Sequence, residues 1–194
     1  MNAKTYKQQL LDKLYEPYKN CHKCPLGFLG RLNVVFGDGN PDADFMFIGE
    51  APGKEEDIQG KPFVGRSGKL LDHVLDIVGM HRSNIFISNI VKCRPPGNRK
   101  PTPQESNTCK DLLLKKQVKI ICPKIICTLG AAPLQGLLND YSIKITKARG
   151  KIVTWENVPV LPTYHPAYIL RNPKELQTLV NDIKTAHKYL ISHK

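Results

Sequence analysis

The residues of this 194-residue chain best equipped for chemistry are six cysteines, a glutamate that ends an apolar run and a histidine followed by proline. Cys21 and Cys24, spaced Cys-x2-Cys, can supply half of a tetrahedral metal site. No second such pair follows, so any further ligands are single cysteines far along the chain. Zinc modules prefer two paired knuckles, whereas one pair with two dispersed thiolates suits a four-cysteine iron-sulfur cluster better; spacing leaves both metals open. Cys122 and Cys127 sit in or beside an apolar run, where a free cysteine behaves as a small buried hydrophobe. Cys93 and Cys109 flank a polar, proline-rich loop instead. The expected ligands are therefore Cys21, Cys24, Cys93 and Cys109.

The glutamate is Glu50. Residues 44–49 read as a buried parallel strand that delivers Glu50-Ala51-Pro52-Gly53 to the crevice where an open α/β sheet binds ligand. The loop continues through Glu55, Glu56 and Asp57 to Phe63, set among glycines, and loops of that length in compact domains usually carry function. His165 ends another predicted strand, and Pro166 after it favours an extended backbone there. Asn89 ends a third. Singly, each has a plain structural reading as a surface or core histidine, a turn residue or a core aromatic. At the tips of neighbouring strands they share one crevice.

The elements that must hold these residues can be traced in order. Tyr6, Leu10, Leu11, Leu14 and Tyr18 have helical spacing. A helix with Ser67 as N-cap and Gly79 as stop follows the first loop. Residues 85–89 form a second strand, and Thr102, Pro103 and Glu105 make a capping box that opens a helix carrying Cys109. Residues 124–129 form a third strand and 158–164 a fourth, which Pro159 and Pro162 assign to a sheet edge. A last helix starts at Asn172-Pro173. Strands alternating with helices predict an α/β fold: three layers, α/β/α, with a central four-stranded parallel sheet and right-handed crossovers. No linker or repeat divides the chain, so residues 1–194 are expected to form a single domain.

The 29 basic and 17 acidic side chains give a net charge of +12, which favours a polyanionic partner such as nucleic acid. No apolar run is long enough to span a membrane, and the N-terminal residues lack the apolar core of a secretory leader. An intracellular location, in cytoplasm or nucleoid, follows, and six cysteines there point to metal or redox chemistry rather than disulfides.

Taken together, Cys-x2-Cys, residues 49–57, Gly60 to Gly68, Asn89 to Arg99 with Pro101, Cys109, and His165 to Pro173 carry a resemblance. From about Cys21 to the C-terminal helix the chain is similar to the family 4, iron-sulfur uracil-DNA glycosylases. The resemblance implies a monomer that hydrolyses the N-glycosidic bond of deoxyuridine in single- or double-stranded DNA, with a 4Fe-4S cluster on the four cysteines. It implies that Phe63 stacks on the flipped uracil, that Asn89 reads its polar edge, and that Glu56 crowds C5 against thymine. His165 and the backbone near Ala51 and Gly53 would stabilise the leaving base, and Glu50 the sugar cation and its water. Pro52, Ser67, Lys69 and Arg171 would grip phosphates. The competing reading is a non-catalytic iron-sulfur module that binds nucleic acid or senses damage, which would not need Glu50, Asn89 and His165 together.

Overall fold

The computed structural model describes residues 5–193; residues 1–4, part of the stretch read for a leader, and residue 194 lie outside the described residues. Helix α1 (Tyr6–Tyr15) opens on Thr5, whose hydroxyl accepts from the Gln8 N–H. Then come β1 (Asp38–Gly39), β2 (Phe45–Gly49), α2 (Lys54–Gln59), α3 (Arg66–Val78) and β3 (Ile85–Asn89). Next are α4 (Pro103–Cys109), α5 (Lys115–Ile121), β4 (Ile125–Leu129), α6 (Ala131–Leu138) and α7 (Ile145–Ala148). The chain closes with β5 (Val153–Trp155), β6 (Val158–Thr163), α8 (Pro166–Arg171) and α9 (Leu176–Ser192).

The four expected strands pair in parallel in the order β3-β2-β4-β6. The sheet is nevertheless six-stranded and mixed among the described residues, because β1 adds antiparallel to β3 and β5 antiparallel to β6. Side chains of β2 alternate between the two faces, as the period of a strand requires. Met46 and Ile48 join Leu11, Ile90, Leu114 and Leu134 on one side, while Phe45 and Phe47 join Leu71, Val74, Leu179 and Ile183 on the other. Helices therefore cover both faces. No helix among the described residues is long and apolar enough to cross a membrane.

Four expectations need correction. β6 is not an edge strand: the turn at Glu156 and Asn157, both at positive φ, folds β5 back onto it, with the backbone twist that suits a two-residue hairpin. Pro162 is tolerated because its carbonyl accepts from Gly150, before β5 begins, so no ladder donor is missed on that side. Ser67 is not the N-cap of α3. Gly65 is, and Ser67 is the second residue of the helix. The first loop is not irregular throughout, since it contains α2. Cys122 is exposed at the left-handed C-cap of α5, while Cys127, within β4, is buried as expected. The capping box at Thr102 and Glu105 forms as read, with both reciprocal bonds present.

Candidate active site and cysteine cavity

A crevice of about 590 Å³ opens at the carboxyl ends of the parallel strands. Glu50, Ala51, Pro52, Gly53, Glu56, Phe63, Ser67, Asn89, His165 and Arg171 all line it. Lys69, exposed on α3, is the one expected crevice residue that does not. Reading the sequence missed Arg66, Asn98, Arg99 and Tyr168, which also line it. The motif stretches contain all four, but no local pattern says which of their residues turn inward.

The floor is built around an absent side chain. A Cβ on Gly49, the last residue of β2, would lie 2.4 Å from Asn89 Oδ1 and 2.7 Å from the Phe63 ring. Only glycine leaves that space between the amide and the aromatic face open. Phe63 sits at φ 53°, an unusual conformation for a bulky residue. It is held there by Arg82, which donates to the Pro62 and Phe63 carbonyls and pairs with Asp72 on α3. Gly68 of α3 completes the fit, since a Cβ there would collide with the Phe63 carbonyl at 1.9 Å.

Glu56, on α2, works as a clasp. One carboxylate oxygen accepts from the Val64 and Gly65 N–H groups at 3.0 and 2.9 Å, and the other from the Gly53 N–H at 3.1 Å. The carboxylate thus ties the turn after Glu50 to the segment after Phe63. Asn89 is 1% exposed, and its Oδ1 is buried with no hydrogen-bond partner among the described residues. Such an atom calls for a reason, because an unsatisfied buried acceptor costs roughly 1–3 kcal/mol. Its position beside an aromatic face suits a planar ligand with an N–H group.

His165 caps α8, its Nδ1 accepting from the Ala167 N–H at 3.0 Å. That bond places the ring proton on Nε2 and makes His165 a donor. Burial pushes its pKa down to about 4, with Arg171 adding to the effect and Glu56 opposing it, so the ring is neutral at pH 7. Its ring lies 5.8 Å from that of Phe63. Gly130, at φ 100°, leaves the space that His165 occupies: a Cβ there would stand 3.2 Å from the histidine Cβ. Burial raises the Glu50 pKa, partly offset by Lys100. A carboxylate, a neutral imidazole donor and an unpaired amide thus converge on one planar slot.

The four expected cysteines line a second, small cavity together with Lys23, Val34, Lys92, Thr108, Leu112 and Leu113. A 3-10 turn at Pro25–Phe28 closes the Cys-x2-Cys knuckle, where a Cβ on Gly27 would strike the Cys21 carbonyl at 2.5 Å. Among the described residues no group of three or more His, Cys, Asp or Glu is arranged to hold a single metal ion. The donor set suits a larger group whose thiolate ligands bind different metals. Burial, with Cys109 next, pushes the Cys93 thiol up to about 12, and burial likewise raises Cys109 to about 11. Left to themselves these thiols stay protonated, and a bound metal group would deprotonate them. Four thiols in an apolar cradle fit an iron-sulfur cluster.

Comparison with known proteins agrees with this geometry. Residues 36–187 match the model of the Uracil DNA glycosylase superfamily. The chain is 44% identical over 187 residues to a type-4 uracil-DNA glycosylase of Thermotoga maritima, spanning 95% of this chain and 96% of that one. It is 43% identical over 192 residues to the type-4 enzyme of Sulfurisphaera tokodaii, covering 95% of this chain and 86% of that one. Against the type-4 enzyme of Saccharolobus solfataricus the identity is 44% over 190 residues, 94% and 87% of the two chains.

Proposed function

Because this chain belongs to the uracil-DNA glycosylase superfamily, and within it to the type-4 enzymes, we propose that it hydrolyses the N-glycosidic bond of deoxyuridine in DNA, releasing uracil and leaving an abasic site. The observation that carries the reading is the partnerless Oδ1 of Asn89 beside Phe63. A flipped uracil stacks on Phe63, donates its N3–H to that oxygen and accepts at O4 from the Asn89 amide. Cytosine presents the opposite pattern of donor and acceptor and is refused. The wall that Glu56 clasps limits the room at C5, where thymine carries a methyl group.

As the bond breaks, the leaving uracil gains negative charge and the sugar becomes cationic. The Nε2–H of His165 donates to O2, aided by backbone N–H groups at Ala51 and Gly53; this is oxyanion stabilisation applied to a leaving group. Glu50 stabilises the sugar cation and orients water. Pro52, Ser67 and Arg171 hold the backbone at the crevice mouth, and Lys69, exposed on α3 outside it, adds a phosphate contact, in keeping with a chain of net charge +12. Cys21, Cys24, Cys93 and Cys109 hold a 4Fe-4S cluster, which when bound cross-links the N-terminal segment, the loop after β3 and α4. The chain acts as a single-domain monomer inside the cell, where its DNA substrate lies.

The experiment is incubation with uracil-containing, thymine-mismatched and control oligonucleotides, followed by cleavage at abasic sites. Excision of uracil alone is expected. Tight binding of uracil DNA with no abasic product would leave the non-catalytic module as the function.

A further inference from the structure

The base-reading mechanism gives no part to Lys92, although it is among the largest side chains fully buried in the protein, at 1% exposure. Its ammonium donates to Ser88 Oγ, to the Asn89 carbonyl at 2.9 Å and to Gln117 Oε1 at 2.7 Å. These acceptors are a hydroxyl, a peptide carbonyl and an amide, with no carboxylate among them. Gln117, itself fully buried, is fixed in turn by donating to the Phe36 carbonyl at 2.8 Å. A buried charge with only neutral partners is costly, and buried charges are as a rule paired.

The groups near Lys92 that can become anionic are the cysteine sulfurs. Lys92 lines their cavity and directly precedes Cys93 in the chain. Two of its three acceptors belong to β3, and one of them is the main chain of Asn89. Lys92 therefore borders the cysteine cavity, while its ammonium, near Cys109 and Cys93, grips the strand end that presents the unpaired amide.

We propose that Lys92 is a positioning residue: its ammonium is the counter-ion of the sulfur-ligated cluster and, through the Asn89 carbonyl, the tie that holds the base reader in register. This rests on the cluster and base-reading roles proposed above, and the test separates the two failures. Iron and sulfide are assayed first in the purified protein; their absence removes the cluster reading, and the coupling with it, before any variant is made. In loaded protein, Lys92→Met keeps the side-chain length and removes the charge.

The cluster midpoint potential should become more negative, since an adjacent cation favours the reduced, more anionic form. Discrimination of uracil-containing over undamaged DNA should weaken by roughly 10²-fold, with affinity for undamaged DNA unchanged. A potential that shifts with no loss of discrimination makes Lys92 a counter-ion only and overturns the coupling. So does a variant with both quantities at parental values and only a lower Tm. Gln117→Glu covers the case in which Lys92→Met does not fold, because it gives the ammonium a carboxylate. The fall in Tm on chelating the iron should then be smaller than in the parent, and an equal fall overturns the proposal.

Discussion

The crevice and the cysteine cavity lie within a few residues of each other along the chain after β3, yet they are built on opposite terms. Asn89 ends β3 with a buried oxygen that has no hydrogen-bond partner among the described residues. Four residues later, Cys93 faces a cavity walled by four thiols, aliphatic side chains, Thr108 and two lysines, Lys23 and Lys92. The crevice keeps polar groups unpaired at rigid strand ends, so its free energy becomes available when a base enters. The cavity gathers segments from three distant parts of the chain, so whatever binds there acts as a cross-link. One region should govern rate and base choice, the other persistence of the fold.

Asn89→Asp should break the crevice most severely. The donor to uracil O4 is lost and two acceptors face each other, so uracil excision in single turnover should fall by about 10⁴. Excision at the parental rate would mean that Asn89 does not read the base. His165→Ala should lower the chemical step by roughly 10² to 10³, the scale for one oxyanion donor, while binding to uncleavable uracil DNA survives. Unchanged excision would return His165 to a purely structural part as the cap of α8.

Acid sharpens the contrast through stability. The folded pKa of His165, about 4, lies below the ordinary value of 6.5. Between those values the unfolded chain takes up a proton that the folded chain refuses, so the His165 contribution is complete above pH 6.5 and is lost as pH falls towards 4. The gap corresponds to on the order of 3 kcal/mol. Denaturant unfolding at pH 7 and pH 4.5, with His165→Phe as reference, measures it; equal slopes in the two proteins would refute the assignment.

Cys93→Ala tests the cavity, with the smallest expected effect on the chemical step. Visible absorbance of the cluster should vanish and stability fall by about 2 kcal/mol or more. In the folded fraction, His165→Ala should still cost the same factor, because among the described residues histidine and cysteine share no hydrogen-bond partner and their effects should combine independently. A His165→Ala effect that shrinks in the Cys93→Ala background would show that the two regions act as one site.

What the sequence by itself determined are features governed by neighbours in the chain. The apolar runs of β2, β3 and β4 need only their own composition to be buried strands, and Thr102 with Glu105 caps α4 through bonds spanning three residues. The residues at the strand tips were legible for the same reason, and the motifs around them marked the four cysteines that gather at the second cavity. Tertiary structure decided whatever depends on a partner distant in sequence. β6 is interior because a hairpin with no glycine in its turn covers it. Glu56 became a clasp because Val64 and Gly65 return to it, and Phe63 keeps its unusual backbone because Arg82 reaches both carbonyls. Lys92 reads in the sequence as one more surface cation among 29 basic residues. Its burial depends on Gln117, 25 residues on, and on sulfurs from three segments, and composition and periodicity hold no record of contacts made across such separations.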